Sequence, residues 1–321
     1  MAMEKRTVLI LAPCGENRRE QFQKAYGERC DLFFEEDREA ALSQAEVIIG
    51  APGEADLQKA KNLRWLQLSW AGVDAYAKME RFPKNVLVTN VSGAFGVIIS
   101  EYVVAGIVAQ YRGFGVYRDN QKKHVWRQRD ESSTVFGKRA VILGMGDLGS
   151  NVAKRLAVFG AHPVGVRRTV KDALPPFFEA QVAIENLDEA LIHADILINC
   201  LPATRETSGL LTRKRLDKLK KGALFVNVGR GSIVKNDDLV YALQNKQLRG
   251  AVLDVLEKEP LPEDSPLWDM ENVLVTPHIA GPSDTENEDV RGAIWAICLE
   301  NLSRYLTGKP LRHVVDLKTG Y

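Results

Sequence analysis

Short apolar runs alternate with longer amphipathic, charged stretches along almost the whole chain. Thr7–Ala12, Ala45–Ala51, Trp65–Ser69 and Val86–Thr89 read as strands, separated by helix-favouring segments. A second series starts at Arg139–Leu143. It continues through Pro163–Val166, Asp195–Cys200, Ala223–Val228, Ala251–Val255 and Val273–Thr276. Runs this apolar suit strands buried on both faces, and the intervening helices supply the crossovers that parallel strands require. The pattern predicts an α/β chain with two doubly wound parallel-sheet domains.

The length, 321 residues, agrees with that count, since domains run to roughly 100–200 residues each. The boundary is expected within Ser100–Arg129, where the helical pattern of Glu101–Tyr111 gives way to the polar stretch Arg118–Arg129. Thr285–Leu306 reads as a last long helix, with Ile294, Ile297, Cys298 and Leu302 at helical spacing.

Composition removes several function classes. Lys+Arg 43 against Asp+Glu 42 leaves a net charge of +1, which offers no footprint for nucleic acid or an anionic membrane. The longest uncharged stretch, Asn85–Ser100, carries Asn, Thr, Ser and Gly and falls short of the roughly 18 apolar residues of a membrane span. Val8–Ala12 is followed at once by charged residues and reads as a first strand rather than a secretory signal. Cys14, Cys30, Cys200 and Cys298 are scattered without a CxxC pair, so a cytoplasmic protein with no disulfide framework is expected. The five His show no metal-ligand spacing, and no metal is expected.

Val141–Gly149 is a GxGxxG sequence directly after an apolar strand, and Ser150–Phe159 reads as the helix after it. Gly144 permits the tight turn, Gly146 lets backbone approach a pyrophosphate, and Gly149 lets helix and strand pack closely. The helix N-terminus, with Asp147 and Leu148, offers free N–H groups and a favourable dipole to phosphates. The flanking strand and helix make this a dinucleotide site rather than a mere turn. The next strand ends in Arg167-Arg168-Thr169, where an NAD site carries Asp or Glu for the ribose 2′-OH. Two guanidinium groups and a hydroxyl suit a 2′-phosphate, so NADP(H) is preferred and NAD(H) remains open. The alternative is a pair of solvated surface arginines.

Four later strands end in polar or glycine-containing sequence: Asn199–Thr204, Asn227–Gly231, Leu253–Pro260 and Thr276–Gly281. Ligands of open parallel sheets bind beyond the carboxyl ends of strands. That rule lets Arg230, Glu259 and His278 converge on the nicotinamide end of the cofactor; Leu201, Pro202, Val228, Asp254 and Gly281 of these segments are expected to touch the cofactor, the alternative for Asp254 being the cap of a turn. Glu257 competes with Glu259 by proximity.

Together the strand–GxGxxG–helix, NVGRG, LDVLEKEP and TPHIAG segments, in this order, resemble the D-isomer-specific 2-hydroxyacid dehydrogenases over essentially the whole chain. Arg167-Arg168 and the Gly-Tyr end resemble the NADPH-preferring glyoxylate/hydroxypyruvate reductase branch in particular. The resemblance implies a Rossmann cofactor domain (101–285) and a flavodoxin-like substrate domain (1–100 with 286–321), with a cleft between them. It implies closure about hinges near Ser100 and Thr285, and a homodimer touching through Glu101–Arg129. It makes Arg230, Glu259 and His278 the catalytic trio and sets Asp254 beside the nicotinamide. The small-molecule substrate would be a 2-oxo or 2-hydroxy acid.

The chemistry agrees with that assignment. Imidazole titrates near neutral pH and suits a general acid. A carboxylate bonded to it orients the ring, and Arg230 can grip the substrate carboxylate or polarise its carbonyl. Ser69-Trp-Ala-Gly-Val-Asp74 resembles the family loop that binds the substrate carboxylate, which points to the backbone N–H groups of Ala71 and Gly72; the alternative is an ordinary turn capped by Asp74. Trp70 and Phe95 either shape the pocket or belong to the core. A nucleotide-sensing corepressor on the same fold is the competing class, and turnover separates it from an enzyme. A formate dehydrogenase is disfavoured, because oxidising formate leaves the Glu259–His278 pair without a hydroxyl proton to move.

Overall fold

The computed structural model describes residues 5–129, 132–281 and 288–320. The chain divides into two compact units, Met1–Ala94 with Ser283–Tyr321, and Phe95–Pro282. The first crossing therefore precedes the helix Gly96–Arg112 rather than following Ser100. Ser100 is buried inside that helix, and its hydroxyl donates to the carbonyls of Gly96 (2.6 Å) and Val97 (2.7 Å). Thr285 lies outside the described residues.

The first unit holds five parallel strands: β1 (Arg6–Ile10), β2 (Cys30–Phe34), β3 (Val47–Ile49), β4 (Trp65–Gln67) and β5 (Leu87–Thr89). Their order, β2-β1-β3-β4-β5, is the flavodoxin-like doubly wound arrangement. The second unit holds seven: β6 (Arg139–Leu143), β7 (His162–Arg167), β8 (Ala180–Ala183), β9 (Ile196–Asn199), β10 (Ala223–Asn227), β11 (Leu248–Leu253) and β12 (Val273–Val275). The order β12-β11-β10-β9-β6-β7-β8 reverses at the first strand of the unit, β6, as in a dinucleotide-binding sheet.

Strands β2 and β8 were not foreseen from the sequence. Both lie at sheet edges and are mostly half-exposed. They lack the doubly buried apolar run that marks the central strands. The last helix, Glu288–Leu306, runs to the predicted end.

Alternation along the central strands feeds two cores. Val141, Leu143, Leu197, Phe225 and Leu253 pack on one face of the seven-stranded sheet. Ala140, Ile142, Ile196, Ile198, Leu224 and Val226 pack on the other, with Val103 and Ile107 of the helix Gly96–Arg112. Each fully buried aliphatic side chain is worth about 1.5–3 kcal/mol of transfer free energy, so this register is strongly specified. Among the described residues no helix is long and apolar enough to cross a membrane.

Candidate active site

One line of register positions the site. Leu143, Asn199, Asn227, Leu253 and Val275 are successive partners across β6, β9, β10, β11 and β12. The residues that leave the sheet next are Gly144, Cys200, Val228, Asp254 and Thr276. All five strands are parallel, so the glycine turn, the Arg230 loop, Asp254 and His278 emerge along one sheet edge. The strands of Arg230 and His278 stand two steps apart, about 10 Å at ordinary strand spacing.

The glycine turn is built as a phosphate cradle. Gly144 has φ 99°, in the region that glycine adopts freely. A Cβ on Gly149 would lie 1.9 Å from the Gly144 carbonyl oxygen, so the helix Asp147–Val158 starts hard against the strand. A Cβ on Gly146 would meet nothing within 4 Å. Space beside the exposed backbone at the helix N-terminus fits a pyrophosphate, and the residues therefore fit a dinucleotide. The Asp147 side chain is exposed and accepts from the Asn151 amide at 3.1 Å, which removes its charge from the cradle's interior.

At the end of β7, Arg167 is half-buried and Arg168 and Thr169 are exposed. Arg167 donates to Gln181 at 3.5 Å, and Arg168 stands 3.9 Å from Glu206. The side chains of Leu148 and Leu201 are partly buried against the two cores, and Val228 is buried. The Pro202 carbonyl accepts from Thr207 Oγ1 at 2.6 Å. Gly281 faces Ile99 and Phe95; Phe95 is buried, so it belongs to the core.

The Arg230 loop is held from three sides. The buried Asn199 and Asn227 side chains bond to each other at 2.8 Å, and each donates to the Arg230 carbonyl at 3.3 Å. A Cβ on Gly229 would strike the Leu201 carbonyl at 2.6 Å, and one on Gly231 would strike Leu256 at 1.9 Å. The flanking glycines thus let the loop wedge between its neighbours, while the half-buried Arg230 side chain stays at the sheet edge.

His278 meets Glu259. Its Nδ1 lies 2.8 Å from Glu259 Oε2, with the two side chains 51% and 38% exposed. The other carboxylate oxygen, Oε1, accepts from the Leu256 N–H at 2.9 Å, which fixes the carboxylate plane. A carboxylate only accepts, so Nδ1 carries the proton of this bond and Nε2 is the free edge of the ring. Glu257 is committed elsewhere: it accepts from the Asn236 N–H at 2.8 Å, at the start of the helix Asn236–Gln244. The structure thereby separates the two candidate glutamates.

His278 has φ 56°, a left-handed backbone that costs about 1–3 kcal/mol and must be held by its surroundings. Asp254, only 3% exposed, does the holding. Its carbonyl accepts from the His278 N–H (2.9 Å), and its carboxylate accepts from the N–H groups of Ile279 (2.8 Å) and Ala280 (3.0 Å). Thr276 Oγ1 also donates to that carboxylate at 2.6 Å. Its single proton is then used, so Tyr102 must donate to Thr276 in the 2.7 Å bond between them. Burial pushes the Tyr102 hydroxyl up to about 12, keeping it a neutral donor. Asn199, Asn227, Thr276 and Tyr102 are the site residues that sequence reading missed. A polar residue closing an apolar strand was the available signal for the first three.

In the first unit, Ala71 and Gly72 lie in the loop after β4. The Asn90 side chain donates to the Ala71 carbonyl at 2.8 Å. Among the described residues no acceptor meets the N–H of Ala71 or Gly72. No cluster of His, Cys, Asp and Glu able to hold a metal occurs among the described residues.

Comparison with known proteins agrees with this geometry. Residues 104–280, more than half of the chain, match the D-isomer specific 2-hydroxyacid dehydrogenase NAD binding domain. Glyoxylate/hydroxypyruvate reductase B of Pectobacterium carotovorum subsp. carotovorum is 33% identical over 285 residues, covering 86% of this chain and 87% of that protein. A D-isomer specific 2-hydroxyacid dehydrogenase family protein from Aeromonas salmonicida superposes with a TM-score of 0.86 at 32% identity, covering 98% of this chain and 100% of that one. The NADPH-dependent glyoxylate/hydroxypyruvate reductase of Sinorhizobium meliloti, solved with NADP and sulfate, superposes at 0.83 with 28% identity, covering 99% and 100%. The chain belongs to the D-isomer specific 2-hydroxyacid dehydrogenase family and is an oxidoreductase acting on CH–OH donors.

Proposed function

We propose that the protein reduces a 2-oxo acid to the D-2-hydroxy acid with NADPH, in the manner of the glyoxylate/hydroxypyruvate reductases. The observation that carries this reading is the Glu259–His278 pair, set on the same sheet edge as Arg230 and the glycine turn. The bound nicotinamide supplies the hydride to the C2 carbonyl carbon. Arg230 anchors the acid and polarises its carbonyl. His278 Nε2 gives its proton to the carbonyl oxygen as the alcohol forms. Nδ1 keeps its own proton in the bond to Glu259, which orients the ring. Solvent restores the Nε2 proton, since the imidazole is about half exposed.

NADPH preference rests on Arg167 and Arg168 and on the lack of a carboxylate at the end of β7. Oxidation of NADPH and NADH at 340 nm against a panel of 2-oxo acids tests both the reaction and the cofactor. We expect the higher kcat/KM with NADPH. Replacing both arginines by Ala is expected to lower it about 10–100-fold, from two lost charge-assisted bonds, with little change for NADH. Equal or better kcat/KM with NADH in the unmodified enzyme would sink the assignment.

The homodimer implied by the family resemblance is supported by an exposed apolar arm. Trp126 is fully exposed, and Phe114 and Tyr117 are exposed on the preceding helix Phe114–Lys122. Such side chains are enriched at interfaces between copies. Sedimentation velocity is expected to give a dimer, and Trp126→Glu to shift it towards monomer. A monomeric unmodified protein refutes this.

A further inference from the structure

Two loops of the second unit face each other across the glycine turn. One follows β7 and carries Arg167, Arg168 and Thr169; the other follows β9 and carries Thr204, Glu206 and Thr207. In the sheet, β6 lies between β7 and β9, and all three are parallel. The loops therefore leave the same edge on either side of Gly144, about 10 Å apart at ordinary strand spacing. Arg168 Nη2 and Glu206 Oε2 close that gap to 3.9 Å, and both side chains are exposed.

Each loop is braced from within. Gln181 of β8 accepts from the Lys171 N–H at 3.3 Å and from Arg167 at 3.5 Å. In the other loop, the buried Thr207 hydroxyl donates to the Pro202 carbonyl at 2.6 Å and accepts from the Thr204 N–H at 2.8 Å. The Thr204 hydroxyl donates to Glu206 Oε2 at 3.0 Å. Thr204 thus holds the same carboxylate oxygen that Arg168 meets. The two arginines differ in consequence: Arg167 has the neutral Gln181 beside it, whereas Arg168 faces a full negative charge.

The adenosine ribose of a dinucleotide lies at the end of the strand that follows the glycine turn and its helix, here β7. A 2′-phosphate on it carries about two negative charges. Arg167 and Arg168 supply two positive charges, and Glu206 offsets one of them. A carboxylate and a phosphate that share one guanidinium repel each other, by an amount that salt screens. NADH has no 2′-phosphate and does not meet this repulsion.

Resting on the NADPH reading above, we infer that Glu206 is a specificity-determining residue of the cofactor site. It is a built-in counter-charge that competes with the 2′-phosphate for Arg168 and limits the preference for NADPH over NADH. The experiment measures Kd for NADPH and NADH by fluorescence titration, and for 2′,5′-ADP by calorimetry, in the unmodified protein and in Glu206→Gln. Glutamine keeps an acceptor for the Thr204 hydroxyl, and the position is exposed, so the loop is expected to keep its course. Glu206→Gln is expected to tighten NADPH and 2′,5′-ADP by about threefold to tenfold at low salt, the scale of an exposed charge pair. NADH should move by less than about twofold, and the gain for NADPH should fall by about half or more in roughly 0.5 M NaCl. Glu206→Lys is expected to tighten NADPH further. Unchanged or weaker NADPH binding in Glu206→Gln, in a protein that still prefers NADPH, would overturn the inference and leave the NADPH reading intact. Equal tightening of NADH would do the same, since a general change in the loop acts on both cofactors. An unmodified protein that binds NADH as tightly as NADPH would overturn both.

Discussion

His278→Gln is expected to lower kcat for 2-oxo acid reduction by about 10²–10⁴-fold, the ordinary worth of a positioned general acid, while KM moves little. Glutamine keeps a polar side chain facing Glu259 but has no proton to transfer at the pH of the reaction. Arg230, the group proposed to anchor the substrate, is untouched, which is why the loss is expected to fall on kcat. The substitution also occupies a left-handed backbone position, where His is among the better tolerated residues. Thermal unfolding alongside kinetics separates a lost proton donor from a collapsed turn. Asp254 holds that turn through backbone groups, through its carbonyl and the N–H groups of residues 279 and 280, so the variant should fold. An unchanged kcat would remove His278 from the reaction.

Arg230→Ala is expected to lower kcat/KM by about 10²–10³-fold, with both KM and kcat affected. A guanidinium held to a carboxylate contributes to binding, and the same group facing a carbonyl contributes more as charge develops on oxygen. The Arg230 side chain donates one bond to the Gly229 carbonyl (2.9 Å), but Asn199 and Asn227 also hold the loop through the Arg230 carbonyl and the flanking glycines set its path, so the loop is expected to keep its course. Arg230→Lys keeps the charge without the bidentate fork, so it should recover only part of the loss. An unchanged KM in Arg230→Ala would argue that this residue does not grip the substrate. Cofactor binding, followed by NADPH fluorescence, should remain close to that of the unmodified enzyme in both variants.

Much of the fold was legible in the sequence because central strands of parallel sheets are buried on both faces. Arg139–Leu143 was read with its observed bounds. Edge strands lack that signature: Cys30–Phe34 carries Asp31 and leaves most of its residues half-exposed, and Ala180–Ala183 is short and half-exposed throughout. The glycine turn was legible for a different reason. Its residues serve backbone geometry, and Gly144 and Gly149 are constrained by φ and by a carbonyl at 1.9 Å. Residue type and spacing alone did not separate Glu257 from Glu259; only the family resemblance favoured Glu259. Two residues apart, both precede Pro260 on an exposed turn. Only the placement of the helix Asn236–Gln244 beside Glu257, and of His278 beside Glu259, divides them.

The sequence by itself determined the parallel α/β class, the dinucleotide turn and the presence of Arg230, Asp254 and His278 at strand ends. These follow from short-range periodicity and from residue types that local geometry demands. Tertiary structure decided which side chains meet. Register across five strands brings residues from 144 to 278 to one sheet edge. Tyr102, more than a hundred residues from Thr276, completes the hydrogen-bonded chain that holds the histidine turn. Such contacts depend on the packing of whole elements against a common sheet, and local sequence carries no trace of a partner that distant.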